Sequence, residues 1–202
     1  RGLLRRADAQ RWSIGELFAN AAWAGTLVFS GALLSEEYGM STTATGVALA
    51  AVAVAYLLGN RRAGHLAPER AQWTMLATSL PAAVAVALTW TVTTSVAVTL
   101  VLFAISGVLV ATRTVAGTVF GCSAAGELGR EVGTVRAVTT QLGYLIGALA
   151  GGAALAVAGF AGIGVVMGGF FLASTVPYAL KRRHAVAASE APEPIPATSL
   201  PA

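Results

Sequence analysis

Glu16 and Arg113 are charged residues that could take part in ion pairing or proton transfer, because each lies inside a long apolar stretch of the 202-residue chain. A charge at the centre of a membrane helix costs about 2.5 to 3.5 kcal/mol on insertion scales, so it usually faces protein or water. Counted from Thr94 at about 1.5 Å per residue, Arg113 lies about 28 Å along its helix, toward the inner end. Arg113 is therefore a candidate cavity cation; the alternative is that its long side chain reaches the membrane surface.

Glu16 is the acidic residue that falls within a predicted membrane span. A carboxylate in this setting can exchange a proton or pair with a cation. The alternative is structural, because Ser13 and Glu16 have the spacing of a capping box, in which both side chains bond free backbone N–H groups at a helix start. This alternative predicts that the first helix begins near Ser13.

Four other side chains are candidates for contact with a small molecule. Asn20 and Trp23 lie on the first predicted span, and Gln141 and Tyr144 lie on the fifth. An amide can instead form a hydrogen bond between helices, and an aromatic ring can pack in any core. Together with Arg113, these residues are the candidates for the lining of a substrate cavity.

Three glycines of the fifth predicted span, Gly143, Gly147 and Gly151, are spaced four residues apart. They share one helix face and allow a neighbouring backbone to approach closely. We interpret this face as a helix-packing surface. The alternative is a hinge at which packed helices slide during a transport cycle.

The composition excludes an ordinary soluble domain, because 56% of the residues are hydrophobic, only 11% are charged, and the mean hydropathy is +0.73. Soluble chains are roughly 25% charged. A lone cysteine, Cys122, excludes an internal disulfide and a thiolate metal site. No histidine falls inside a span and no phosphate-binding loop is present, so the sequence predicts neither an enzyme nor a cofactor.

Six segments are apolar and long enough to cross a bilayer, which requires about 20 residues each. The sequence therefore predicts an all-α polytopic membrane protein. Residues 1–12 form a basic lead-in, residues 13–183 the membrane domain, and residues 184–202 a disordered Pro-rich tail. The stretch 121–132 is the longest connector and is expected to form a loop or surface segment. The six predicted spans are 13–34, 42–60, 71–90, 94–119, 133–157 and 160–181.

The net charge of +4 reflects basic clusters between the spans, which favours membrane topology over binding to nucleic acid. Cytoplasmic loops carry an excess of Lys and Arg, and all the clusters fall on one face of the predicted topology. Both termini are therefore predicted to be cytoplasmic. Trp12 and Trp73 are expected to anchor the inner membrane boundary, and Trp90 the outer one. The basic clusters are Arg1 to Arg11, Arg61 to Arg70, Arg130 with Arg136, and Lys181 to Arg183.

The connector between spans two and three, residues 64–70, reads Gly-His-Leu-Ala-Pro-Glu-Arg. Its Gly64, Leu66 and Ala67 match the loop motif Gly-x-Leu-Ala-Asp-Arg-x-Gly of the major facilitator superfamily (MFS). Arg70 lies one residue after the position of the motif's arginine. Pro68 replaces the motif's acidic residue, which puts the charge-relay role of this loop in question.

The stretches 107–117 and 141–151 resemble helices ten and eleven of bacterial efflux-type members of that superfamily. With six spans and both ends inside, the chain resembles the carboxy-terminal half of an MFS transporter. The resemblance covers roughly residues 10 to 184. It implies a 3+3 inverted repeat, a location in the bacterial cytoplasmic membrane, and a missing N-terminal half or a second copy as the other wall.

The resemblance also implies proton-coupled efflux of a small amphipathic molecule. The first and fourth helices of each half line the central cavity in this superfamily, and here they carry Glu16 and Arg113. These two residues are therefore candidates for a gating ion pair, and Glu16 is a candidate proton carrier. The alternative function is a six-helix membrane scaffold without a transport cycle. Membrane lipid is an expected partner in both cases.

Overall fold

The computed structural model describes residues 3–178, and these form helices with no strand among them. The predicted tail, the end of the sixth span and the basic cluster from Lys181 to Arg183 lie outside the described residues. Short 3₁₀ turns at Leu3–Arg5 and Gly126–Leu128 precede the first and last helices. The five helices are α1 (Ala7–Glu36), α2 (Thr42–Ala63), α3 (Pro68–Thr91), α4 (Val96–Ala125) and α5 (Gly129–Ala173).

Local sequence explains several helix starts. The hydroxyl of Ser41 accepts a hydrogen bond from the N–H of Ala44 at the start of α2, and Ser95 does the same for Val98 at the start of α4. Pro68 begins α3, where its missing N–H costs no helical hydrogen bond. These polar caps and the proline separate the apolar runs into helices at the connectors.

The longest helix, α5, is broken at Ala158 and Gly159. Gly159 has φ +62°, a left-handed conformation that favours glycine. Residues 129–157 and 160–173 therefore form two arms of α5. Gly151 and Met167 lie eight residues on either side of Gly159, and a Cβ added to Gly151 would lie 3.5 Å from the Met167 methyl carbon. The second arm thus folds back along the first.

Four helical stretches of the described residues are long and apolar enough to cross a membrane. Three of them are α1, α2 and α3, and the fourth runs for 83 residues from Val96 to Tyr178. Large apolar side chains project outward, including Val157, which is 88% exposed, and Leu149, which is 66% exposed. This surface fits a membrane-embedded protein. A count of six spans requires division of the last stretch at residues 126–128 and at Gly159.

Small residues allow the helices to pack closely. Helix α1 packs mainly on α5, α2 packs on α4, and α3 lies against both α4 and α5. Gly59 of α2 faces the carbonyl oxygen of Val108 on α4, where an added Cβ would lie only 2.7 Å away. The main core contains Ala19, Ala22, Leu33, Ala82, Ala83, Val86, Trp90, Val110, Ile163, Met167 and Phe171.

The expected start of α1 is wrong, and the stretch 121–132 takes the form of a surface segment instead of a loop. Helix α1 begins at Ala7 rather than near Ser13, and the Ser13 hydroxyl donates to the carbonyl of Ala9 within the helix. The stretch 121–132 is not an open loop, because α4 continues to Ala125 and α5 begins at Gly129. Tertiary contacts explain both differences: the guanidinium of Arg6 donates to the Ala125 carbonyl at 2.9 Å and holds the two regions together.

Candidate functional site

Helices α1 and α4 bring Glu16 and Arg113 together. A guanidinium nitrogen (Nη1) of Arg113 lies 2.8 Å from Oε1 of Glu16, and each side chain is only 2% exposed. Gly117, one turn after Arg113, lies against the Glu16 carboxylate where a larger side chain would clash. The absence of a side chain at Gly117 therefore makes room for the carboxylate between the helices.

Arg113 makes a second polar contact through Nη2, which donates to the carbonyl oxygen of Gly15 at 3.1 Å. Its Nε atom is buried and has no hydrogen-bond partner among the described residues. Two buried charges are stable only when they are paired and bonded, because removal of one partner leaves an uncompensated charge. The pair explains why Glu16 does not cap the helix start.

Trp12 lies next to this ion pair, on the same face of α1. Its indole N–H donates to the carbonyl oxygen of Gly117 at 2.7 Å, and its ring fills the space beside Gly121. The Tyr178 hydroxyl donates to the Trp12 carbonyl at 3.3 Å. Trp12 is 1% exposed, so its expected role as a boundary anchor is wrong. We call Trp12, Glu16, Arg113, Gly117 and Tyr178 the inner cluster.

Trp90, the expected outer anchor, is also buried at 1% exposure. Its ring stacks on Phe160 at a centroid distance of 6.0 Å, and its Cβ lies beside Gly164. It belongs to the core between α3 and the second arm of α5 rather than to a lipid-facing surface. Hydropathy alone cannot distinguish a boundary tryptophan from a core tryptophan near a helix end.

A cavity of about 590 Å³ lies between α1, α2, α4 and the first arm of α5. Its walls are largely aliphatic, with aromatic, hydroxyl, amide and guanidinium groups at a few positions. Arg113 belongs both to this cavity and to the inner cluster, so the two regions adjoin. The polar and aromatic lining residues are Asn20, Trp23, Ser30, Tyr56, Arg113, Thr114, Arg136, Thr140 and Tyr144.

Four of the five residues proposed from the sequence for a substrate cavity line this one: Asn20, Trp23, Arg113 and Tyr144. The Nδ2 atom of Asn20 is buried and has no hydrogen-bond partner among the described residues. Gln141 is exposed and is not part of the lining. The structure therefore brings together the candidates of α1 and α4 with only one of the two from α5.

Sequence reasoning missed Arg136 and Tyr56. The charge pattern groups Arg136 with Arg130 as a basic cluster between spans, although it falls inside the predicted span 133–157; in the structure it lies seven residues into α5, about 10 Å along the helix. The available signal was its four-residue spacing to Thr140 and Tyr144, which puts all three on one helix face. Tyr56 stacks on Trp23 with a centroid distance of 5.8 Å and an interplanar angle of 16°.

The glycine face of α5 lies against α1. Added Cβ atoms on Gly143 and Gly147 would meet the α1 backbone at Leu17 and Ala21, and one on Gly151 would meet the Phe29 ring. Any larger side chain at these positions would push the helices apart. This close approach positions the cavity residues of α1 opposite those of α5.

The loop that resembles the MFS motif joins α2 to α3. Gly64 and Ala67 flank the two helix ends, Leu66 packs near Met75 and Tyr178, and Arg70 is exposed in the first turn of α3. Within residues 3–178, no group of three or more His, Cys, Asp or Glu side chains could hold a metal ion.

Comparisons with protein-family models, with curated proteins and with solved structures found no match for this chain. The functional interpretation therefore depends on the cavity, the inner cluster and the sequence motifs themselves.

Proposed function

We propose that this chain is a six-helix half of an MFS-type secondary transporter that moves a small molecule across a membrane. The observation that carries the proposal is the cavity of about 590 Å³, which combines apolar walls with Asn20, Arg113 and Arg136. Small-molecule sites typically measure about 300 to 1,000 Å³ and have a few polar groups in an apolar lining. Ionisable residues within membrane segments usually serve substrate or ion pathways.

The break in α5 supports six spans. Divided at Gly159 and at the turn Gly126–Leu128, the described chain contains six helical segments, and the two arms of α5 run back along each other. The proposed inverted repeat relates α1, α2 and α3 to α4 and the two arms. An odd number of spans in each repeat gives the two repeats opposite orientations in the membrane.

The cavity position supports an incomplete binding site that another half would close. Helices α1 and α4 both contribute to it, as the superfamily resemblance implies for the first and fourth helices of a half. The other wall would come from an N-terminal half or from a second copy. With basic clusters on one face, the proposed location is the bacterial cytoplasmic membrane with both termini inside.

The Glu16–Arg113 pair is the proposed inner gate. It joins α1 to α4 beside the cavity, so separation of these helices at the inner mouth must break it. Proton uptake by Glu16 would neutralise the carboxylate and weaken the pair, which couples opening to a proton gradient. Efflux is the proposed direction.

Cysteine labelling tests whether the cavity contains water, as a transport pathway requires. Cys122 is exposed and is first replaced by serine. Tyr144→Cys and Leu145→Cys then form a matched pair, because the native residues are adjacent and 45% and 57% exposed, yet only Tyr144 lines the cavity. A thiolate is the reactive form, and an apolar environment suppresses it.

In lipid vesicles, a polar, uncharged and membrane-impermeant thiol reagent should label Tyr144→Cys at least about tenfold faster than Leu145→Cys. Equal labelling would place both positions in the same environment and would contradict a separate water-filled cavity. No labelling at either position would favour the membrane scaffold.

A further inference from the structure

We infer that the cavity selects organic anions that carry an aromatic ring, an inference that rests on the proposed transport function. The first observation is charge. The ionisable lining groups include Arg113 and Arg136, and no described lining residue is acidic. Glu16 lies behind Arg113 and neutralises it. The uncompensated charge of the described lining is therefore the guanidinium of Arg136.

Arg136 is not held by a protein anion. Its guanidinium forms no ion pair or hydrogen bond with another described residue, and it is half-buried on the first arm of α5. An unpaired guanidinium in a partly apolar cavity requires water or an anionic ligand. Its planar donor fork matches carboxylate and sulfonate oxygens.

Two buried donors belong to residues that line the cavity. Nδ2 of Asn20 and Nε of Arg113 are buried and lack partners among the described residues. A buried donor without an acceptor is costly. Because no described lining residue is acidic, the cavity favours anions and disfavours cations.

The apolar part of the ligand is indicated by an aromatic wall. Trp23 stacks on Tyr56 and meets Phe103 edge-on at a centroid distance of 5.9 Å. Tyr144 adds a further ring from α5. Aromatic pairs prefer offset stacks and edge-to-face contacts, so this wall suits a flat ring in the same cavity as the guanidinium. The combination specifies an aryl carboxylate or aryl sulfonate.

The experiment uses the full chain in nanodiscs of zwitterionic lipid, with Cys122→Ser and Thr140→Cys, because Thr140 lines the cavity one turn from Arg136. Naphthalene-2-sulfonate, 2-naphthylmethylammonium and methanesulfonate are each added before the uncharged thiol reagent. The three probes separate the contribution of charge from that of the ring.

Naphthalene-2-sulfonate should slow the labelling of Thr140→Cys at concentrations where the other two probes do not. Adding Arg136→Gln should raise the concentration needed by about tenfold or more, the loss expected for a charge-assisted hydrogen bond. Arg130→Gln is the matched control, since Arg130 is an exposed arginine of the same helix that does not line the cavity. Size-exclusion elution checks that each variant is folded.

Equal protection by the ammonium probe, protection by none of the probes, or equal effects of Arg136→Gln and Arg130→Gln would overturn the anion inference. In those cases the labelling of Tyr144→Cys still supports a wet cavity, and the proposed transport function stands. If neither Tyr144→Cys nor Thr140→Cys is labelled, the cavity is dry and both proposals fall.

Discussion

Arg113 and Arg136 belong to the same cavity, but their surroundings are opposite. Arg113 is 2% exposed, pairs with Glu16 at 2.8 Å and donates to the Gly15 carbonyl. Arg136 is half-buried and has no such partner among the described residues. Arg113 thus has the environment of a core residue, whereas Arg136 has an environment that suits a ligand-binding residue.

This difference shows that a charge in an apolar segment does not by itself identify a binding residue. The inner cluster satisfies most of its polar atoms within the protein: the Trp12 N–H, the Tyr178 hydroxyl and both terminal nitrogens of Arg113 are bonded. The cavity leaves Nδ2 of Asn20 unsatisfied. Stability should therefore be concentrated in the inner cluster, and ligand recognition in the cavity.

The largest expected effect is that of Arg113→Leu. It should lower the free energy of unfolding by about 3 to 5 kcal/mol, because it leaves Glu16 buried without a counter-charge. Arg136→Leu should change it by less than about 0.5 kcal/mol. Unfolding in sodium dodecyl sulfate titrations measures both values. If the charge swap Glu16→Arg with Arg113→Glu is no more stable than either single variant, the pair does not act as a unit.

Gly147→Leu should have the next largest effect. It should lower the free energy of unfolding by about 1 to 3 kcal/mol or more, because the new side chain would be forced against the Ala21 carbonyl. Gly169→Leu on the second arm is the control, since nothing lies within 4 Å of its Cβ position. The yield of monodisperse protein measures the effect. Normal assembly with lost transport would instead indicate a hinge at this face.

Trp12→Phe should lower the free energy of unfolding by about 0.5 to 1.5 kcal/mol, the contribution of one hydrogen bond, here to the Gly117 carbonyl. Trp73→Phe should have almost no effect, since Trp73 is 64% exposed. Thermal unfolding of the two variants gives the comparison. An equal loss in both would mean that the inner cluster is not a special source of stability.

The smallest effect is expected at Asn20. Asn20→Leu should leave the free energy of unfolding within about 0.5 kcal/mol of the native value or raise it slightly, because it removes an unsatisfied buried donor. The same variant should weaken protection by naphthalene-2-sulfonate. A loss of stability above about 1 kcal/mol would show that Asn20 has a structural partner, and the contrast between the two regions would fail.

Much of the fold could be predicted from hydropathy, including the helical class and the break at residues 158–159. The start of α1 could not, because Arg5, Arg6 and Arg11 make this segment look like a surface lead-in. What orders it is tertiary: Leu3 donates its N–H to the carboxylate of Glu131 at 3.1 Å, and Leu3 and Trp12 share an apolar cluster.

The position of a residue around its helix predicts the cavity lining better than the residue type does. Arg136, Thr140 and Tyr144 share a face, whereas Gln141 is rotated by about 100° from Thr140. Gln141 was a candidate because it is polar, but its position around the helix keeps it out of the cavity lining. Arg136 falls inside the predicted span 133–157, but its charge was grouped with Arg130 as a sign of topology. Pairing between Glu16 and Arg113 required that α1 and α4 approach each other, which no local pattern specifies.

The break at Gly159 also bears on how the chain enters a bilayer during synthesis. The turn of about two residues carries no charge, and the second arm covers the first through the contact of Met167 with Gly151. The two arms should therefore leave the translocation channel together as one hairpin, and the glycine face of the first arm can then pack on α1, which is synthesised earlier. A chain that stopped before the second arm would leave the face of α3 at Ala83 and Ala87 uncovered, because Gly164 and Gly168 of that arm pack there.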